Sequence, residues 1–190
     1  MPDRDGAEPG GAVPPGSDAA ARCAAFDAFY RRHAGAVLAY LLRRSRSVAD
    51  AQDALAETFL VAWRRPDQVP AEDAANLWLY GVARRVLANQ RRGDRRRRQL
   101  AARLEADTGL RMVPGPSEAG DASDVLRALA RLGDRDREVL RLAAWEGLSH
   151  AEIATILGFS ENASAVRLHR ARRRLKQAYA KEIRPGGTHR

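Results

Sequence analysis

Proline placement is the feature that most restricts the fold of this chain of 190 residues. Proline interrupts helix interiors, because its ring removes a backbone donor and clashes with the preceding turn. The nine prolines lie between positions 2 and 15, at 66 and 70, at 114 and 116, and at 185. The intervals between them are rich in alanine and lack the alternating pattern of strands. The sequence therefore predicts an all-α protein of two small helical domains joined by a flexible linker.

The same breaks predict where the two domains begin and end. The first residues are rich in proline and glycine, a composition typical of disorder, and a similar stretch follows residue 105. The predicted segments are a disordered tail over 1–22, a first domain over 23–98, a linker over 99–122, a second domain over 123–180 and a tail over 181–190.

The stretch "LSHAEIATILGFSENASAVRLHRARRRL" carries the signals of two helices joined by a tight turn. Ser149 and Glu152 have the spacing of a capping box, which starts a helix. Gly158 suits the left-handed conformation that ends one, and Ser160 is placed to cap the next. Two helices connected in this way predict a helix-turn-helix, whose second helix enters the DNA major groove.

The second helix of this motif divides into an apolar and a cationic face. At about 100° per residue, its inward stripe is formed by Ser164, Leu168, Ala171 and Leu175. The opposite face carries Asn162, Val166, His169, Arg170 and Arg173. From Arg167 to Lys176 there are five arginines and one lysine without an acid. Such a run favours phosphate contacts, although a solvated helix face is the alternative interpretation.

Composition narrows the class of partner. The 33 lysines and arginines exceed the 24 acids, giving a formal net charge of +9, which suits a nucleic acid better than a small acidic substrate. One cysteine and four scattered histidines predict neither a disulfide framework nor a zinc site. No apolar run reaches the roughly 18 residues of a membrane span, and no secretory signal is evident. We expect a cytoplasmic protein without cofactor, metal, membrane contact or small-molecule substrate.

An acidic face is predicted on the helix "SVADAQDALAETFLVAWRR". Asp50, Asp53 and Glu57 follow one another at helical spacing, whereas Val48, Leu55, Phe59 and Ala62 are predicted to face inward. Three carboxylates on one side suit a docking surface for a basic partner. A metal or acid–base site and a solvated face are the alternatives, and the metal site lacks supporting histidines.

The segment "AANLWLYGVARRVLANQRRGDRRRRQ" combines aromatic and cationic side chains. Eight arginines lie between Arg84 and Arg98, with Asp94 as the acid among them. Rings that stack on bases and arginines that follow phosphates suit unpaired single strands. Tyr80, Arg84 and Asn89 are predicted to face outward, and Trp78 is assigned to the core. A disordered, solvated tail is the alternative for the run after Arg91.

With these motifs in view, the chain resembles the extracytoplasmic-function group of the sigma-70 family of bacterial transcription initiation factors. "FDAFYRRHAGAVLAYL", "DAQDALAETFLVAW" and "LWLYGVARRVLANQRR" resemble the family's region 2. "ALARLGDRDREVLRLAAWEGLSHAEIATILGFSENASAVRLHRARRRL" resembles its region 4. The resemblance covers Phe26–Arg98 and Ser123–Ala180, most of the chain.

The resemblance implies a function and a role for each surface. The protein would bind core RNA polymerase and direct it to promoters by recognising their −10 and −35 elements. The resemblance does not determine whether an anti-sigma factor also binds it. The residues implied in polymerase binding are Asp50, Asp53 and Glu57. Those implied in binding and melting the −10 element are Asn76, Tyr80, Arg84, Arg85, Asn89, Arg91 and Arg92. Those implied at the −35 element are Asn162, Val166, Arg167, His169, Arg170, Arg173 and Arg174.

Three other functions are alternatives to this one: a regulator of the response-regulator type and, more distantly, an RNA-binding module or a nuclease. A helix-turn-helix regulator with a response-regulator type of output domain would share the C-terminal pattern, but it calls for an α/β receiver upstream, and no strand pattern is found there. A nuclease would need clustered metal-binding carboxylates beside a basic groove. No catalytic residue and no enzymatic activity are therefore predicted.

Overall fold

The computed structural model describes residues 15–108 and 124–183, and every regular element in those ranges is helical. The all-α prediction is thereby confirmed. Three helices form an N-terminal unit and four form a C-terminal unit. The helices are α1 (Pro15–Leu42), α2 (Val48–Arg64), α3 (Glu72–Thr108), α4 (Asp124–Ala130), α5 (Asp134–Ala144), α6 (His150–Leu157) and α7 (Glu161–Ile183), with a 3₁₀ turn over Pro66–Gln68 before α3.

In the N-terminal unit, α2 packs against both α1 and α3, and α1 also contacts α3. Val37 and Leu41 of α1 are fully buried, as is Leu79 of α3, and Phe59 of α2 is nearly so. Each large apolar side chain enclosed in this way stabilises the fold by about 1.5–3 kcal/mol. Val48 was predicted to face inward but is 62% exposed, because it is the first residue of α2.

Helix boundaries differ from the predicted domain limits at three places. Helix α1 begins at Pro15, inside the predicted tail, since the first turn of a helix tolerates proline. Helix α3 continues through 99–108, where the linker was expected, because that stretch holds strong helix formers and no proline. Helix α7 continues to Ile183. The disorder predicted for 1–14, the linker predicted for 109–122 and the tail predicted for 184–190 concern positions outside the described residues.

The C-terminal unit contains the predicted helix-turn-helix. Ser149 accepts a hydrogen bond from the Glu152 backbone, and the Glu152 side chain accepts one from the Ser149 backbone at 2.8 Å, so the capping box is complete. Gly158 ends α6 with a φ of 71°, a left-handed conformation that favours glycine. The Ser160 hydroxyl accepts from the Ala163 backbone at 3.2 Å at the start of α7.

The inward stripe of α7 also matches the prediction. Ser164 and Ala171 are fully buried, Leu168 is nearly so, and Leu175 packs at the edge of the core. Helix α7 contacts α4, α5 and α6 along this stripe. Its opposite face is therefore presented to the surroundings.

The two units touch through charged residues at the end of α1. The Arg44 guanidinium donates to Glu138 at 3.0 Å and to Glu146 at 2.8 Å, and Arg43 also pairs with Glu146. The Tyr40 hydroxyl donates to Glu138 at 3.1 Å, and α6 packs against α3. We call Arg43, Arg44, Glu138 and Glu146 the interdomain ion network. None of the described helices has the combined length and apolar character needed to cross a membrane.

Candidate nucleic-acid interface

The outer face of α7 presents most of the residues implied at the −35 element. Val166 is 42% exposed and Arg167 is half-buried. Among the described residues, no hydrogen-bond or ion-pair partner is found for the side chains of the four polar members Asn162, His169, Arg170 and Arg173, and all four are exposed. Side chains with unsatisfied donors on the second helix of a helix-turn-helix are available to base edges and phosphates.

Two arginines of α7 are held by the protein itself. Asp136, which is 6% exposed at the start of α5, pairs with Arg174 and lies 3.8 Å from Arg167. The Arg167 guanidinium also lies over the Phe159 ring, 5.0 Å from its centroid. Both side chains are thus oriented by contacts within the C-terminal unit, whereas Arg170 is not.

On α3, the basic residues implied at the −10 element are exposed. Arg84 and Arg85 have no ion-pair partner among the described residues. Arg92 donates to the Asn89 side chain, and Arg91 donates to the Arg44 carbonyl at 3.1 Å. On this surface, Arg84 and Arg85 lack an ion-pair partner among the described residues, whereas Arg91 and Arg92 are held by hydrogen bonds within the protein.

Tyr80 is buried, in contrast to the prediction that it faces outward. It is 8% exposed and stacks on Tyr40, with ring centroids 4.9 Å apart and an interplanar angle of 18°. Burial raises the pKa of Tyr80, and the nearby Glu146 carboxylate raises it further, so the hydroxyl stays protonated. Glu146 belongs to the C-terminal unit, whose position could not be inferred from the local pattern around Tyr80.

A cleft of about 380 Å³ lies between the two units and gathers cations from both. Arg84, Arg85 and Arg91 line it from α3, and Arg135 lines it from the C-terminal unit. The C-terminal unit therefore faces the surface implied at the −10 element.

The interdomain ion network is the part of the site that the sequence interpretation missed. Arg44 is 7% exposed, although arginine side chains are mostly exposed in folded proteins. Its position three residues after Leu41 and seven after Val37 is that of the buried stripe, so the spacing could have revealed it. A buried guanidinium requires carboxylate partners, and Glu138 and Glu146 supply them.

The acidic face of α2 forms as expected. Asp50, Asp53 and Glu57 are all exposed, and no ion-pair partner for them is found among the described residues. They border a groove that also includes Arg46 and Arg97. Nowhere in residues 15–108 and 124–183 do three or more histidine, cysteine or acidic side chains group as metal ligands.

Family models match both units of the chain. The model described as Sigma-70 region 2 matches residues 29–97, and the one described as Sigma-70, region 4 matches residues 122–175. The ECF RNA polymerase sigma factor SigL of Mycobacterium tuberculosis is 34% identical over 160 residues, which cover 83% of this chain and 90% of SigL. RNA polymerase sigma factor CarQ of Myxococcus xanthus is 30% identical over 153 residues, covering 80% of this chain and 88% of CarQ.

Solved structures of similar proteins share the fold. The sigma factor RpoE of Bartonella quintana, in complex with the anti-sigma factor NepR, has a TM-score of 0.58 at 23% identity, covering 82% of this chain and 96% of that one. CnrH, in complex with the cytosolic domain of CnrY, has a TM-score of 0.55 at 26% identity, covering 87% of this chain and 94% of that one. The chain therefore belongs to the sigma-70 family, in its extracytoplasmic-function group of sigma factors, the class of protein that directs RNA polymerase to promoters.

Proposed function

We propose that this sigma factor divides promoter recognition between its two units, with α7 reading the −35 element. The observation that carries this assignment is the outer face of α7, where Asn162, His169, Arg170 and Arg173 are exposed and have no partner among the described residues. Arg167 and Arg174 are oriented by Asp136 and contact phosphates, and Val166 supplies an apolar contact.

The −10 element is assigned to the surface of α3. Arg84, Arg85, Arg91 and Arg92 follow the backbone of the melted strand, where their charges replace released counterions. The remaining residues of this surface are Asn76, Tyr80 and Asn89. Tyr80 stacks on Tyr40, and Arg84, Arg85 and Arg91 line the cleft beside the C-terminal unit, so we expect the two units to separate when the −10 strand binds.

The acidic face of α2 is assigned to core RNA polymerase. Exposed carboxylates without internal partners are available to a basic surface, and opposite charges across an interface increase both association rate and specificity. CnrH is solved with the cytosolic domain of CnrY, which supports a regulatory protein as a further partner here. Nucleotide addition belongs to the polymerase, so the sigma factor itself has no catalytic role and works in the cytoplasm beside the enzyme.

The response-regulator alternative fails on the N-terminal unit. That alternative requires an α/β receiver, whereas residues 15–108 are described as helices and match region 2 of the sigma-70 family over 29–97.

Charge reversal on α2 tests the docking assignment. Asp53→Arg combined with Glu57→Arg places like charges across the interface, which costs several kcal/mol, whereas surface changes of this kind leave the fold nearly unaffected. We expect loss of co-purification with core polymerase and an unchanged circular dichroism spectrum.

Asp27→Arg is the matched control for the single variant Asp53→Arg. Asp27 is also exposed, and its ion pair with Arg31 stays within α1. Co-purification should survive in this control. If Asp53→Arg and the double variant both bind core polymerase as the parent protein does, the docking assignment is wrong.

A further inference from the structure

A buried histidine lies directly behind one of the residues assigned to the −10 element. His33 of α1 is 3% exposed, and its Nδ1 lies 2.8 Å from the Oδ1 atom of Asn76 in the first turns of α3. The ring also packs against Phe29, with centroids 4.6 Å apart. The position of the imidazole is therefore set by the core of the N-terminal unit.

The chemistry of the two groups fixes the direction of this hydrogen bond. A carboxamide oxygen can only accept, so Nδ1 of His33 must carry the proton and donate it. The amide plane of Asn76 is then held with its oxygen toward the core and its NH₂ group on the opposite side. Nδ2 has no partner among the described residues and is not one of the enclosed, unpartnered atoms, so it is open to solvent.

From this geometry we propose that His33 is a positioning residue for promoter recognition, because it makes Asn76 present hydrogen-bond donors rather than an acceptor. A free asparagine amide can turn over and offer either group to a base. Held by His33, Asn76 offers two N–H donors to acceptor atoms of the −10 strand. The inference rests on the proposed assignment of Asn76 to that element.

Transcription from a library of promoters with randomised −10 elements tests the proposal in holoenzyme reconstituted with core polymerase. Asn76→Ala should relax the preference at one or two positions. His33→Leu should relax the same positions by about three- to tenfold, the range that one hydrogen bond of typical strength provides. His33→Asn restores a donor near the place of Nδ1 and should restore most of the preference.

The double variant His33→Leu with Asn76→Ala separates positioning from a purely structural role. If His33 acts through Asn76, the double variant should have the base preference of Asn76→Ala alone. A structural role would instead lower transcription from all promoters equally, and His33→Leu would still add its effect in the Asn76→Ala background. Either of these results would overturn the proposal.

Two further measurements test the proposal if the variants fail to fold, or if Asn76 does not contact the −10 element. Nitrogen-15 spectra of the unmodified protein should show His33 protonated at Nδ1, and a ring protonated only at Nε2 would refute the hydrogen bond without any variant. If Asn76→Ala leaves every −10 preference intact while Arg85→Ala changes one, the inference fails and the proposed function stands. If neither changes a preference, the −10 assignment fails as well.

Discussion

Single residues show where this protein departs from the simplest packing. Ser164 is fully buried on the inward stripe of α7, and its hydroxyl is enclosed without a hydrogen-bond partner. A back-bond from such a serine to the carbonyl of the preceding turn is common, but it is not formed here. An enclosed hydroxyl without a partner retains the free-energy cost of its lost hydration.

Removing that hydroxyl should stabilise the C-terminal unit. Ser164→Ala keeps the helix and removes the unpaired group, so the free energy of unfolding should rise by up to about 1 kcal/mol. Chemical denaturation followed by circular dichroism provides the measurement. A loss of stability on this substitution would mean that the hydroxyl is satisfied, by water or by a carbonyl.

Arginines on α7 should separate into two kinds. Arg170 is exposed without a partner among the described residues. Arg170→Ala should therefore weaken the free energy of promoter binding by about 1–3 kcal/mol and relax the base preference at one or two −35 positions. Arg174 is held by Asp136, and Arg174→Ala should weaken all promoters nearly equally while flattening the salt dependence.

A library of randomised −35 elements distinguishes the two variants. If Arg170→Ala lowers every promoter by one factor while Arg174→Ala alters base preference, the face of α7 assigned to the DNA is wrong.

At the scale of elements, α6 depends on the capping box at its start. Helix α6 spans eight residues, too few to be stable in isolation, so its ends and its packing decide whether it forms. Ser149 satisfies the Glu152 backbone N–H, and Glu152 satisfies that of Ser149. These contacts orient the helix that supports α7.

Loss of the cap should weaken the C-terminal unit in a way that depends on pH. Ser149→Ala should lower the free energy of unfolding by about 1 kcal/mol at neutral pH. Hydrogen bonds from the Ser149 backbone and hydroxyl hold the pKa of Glu152 below its ordinary value of 4.5. A carboxyl with a lowered pKa stabilises the fold above that ordinary value, and the contribution is lost as pH falls through the lowered pKa.

Denaturation of the parent and the Ser149→Ala variant as a function of pH measures this contribution. Their difference in stability should be largest at neutral pH and should shrink under acidic conditions. A difference that is independent of pH would mean that Ser149 provides the stabilisation without a contribution from the Glu152 carboxylate.

Local sequence patterns predicted the helices and their ends better than they predicted which distant residues contact them. The α7 stripe, the capping box and the left-handed Gly158 were predicted because each depends on neighbours a few residues away. Tyr80 was assigned to the wrong environment and the carboxylates around Arg44 were not predicted, because these contacts join residues that are distant in the sequence. Arg44 reaches Glu138 and Glu146 across 94 and 102 positions of sequence. The periodicity of α1 can indicate that Arg44 is buried, but it does not identify the carboxylates that pair with it.

For the whole molecule, the relation between the two units is the main finding that the sequence did not predict. The interdomain ion network holds the C-terminal unit over the surface assigned to the −10 element, with the Glu146 side chain only 1% exposed. The network is incomplete, because Arg43 Nε and Arg44 Nη2 are buried without partners. A buried ionic network with unsatisfied groups stabilises an interface less than a complete one, which suits the separation of the units that we propose for promoter binding.

Removing one carboxylate of the network should open the protein. Glu146→Ala leaves Arg44 short of a partner in a buried position, a change that costs about 3–5 kcal/mol when the burial is retained. Separation of the units avoids that cost. We therefore expect a larger radius of gyration by small-angle X-ray scattering and tighter binding of single-stranded −10 DNA.

Asp27→Ala is the control, since Asp27 pairs with Arg31 inside α1. It should change neither quantity. An unchanged radius and unchanged DNA affinity in Glu146→Ala would show that the network does not hold the units together.

The central claim is that this sigma factor gives core RNA polymerase a specificity for promoters with two elements, one read by each unit. The most direct test is to reconstitute the protein with core polymerase, transcribe genomic DNA and sequence the transcript starts. The account predicts starts preceded by two shared sequence blocks at a constant spacing, and their loss with Asp53→Arg combined with Glu57→Arg. Starts without shared upstream blocks, or tight sequence-specific DNA binding by the free protein as a dimer, would contradict it.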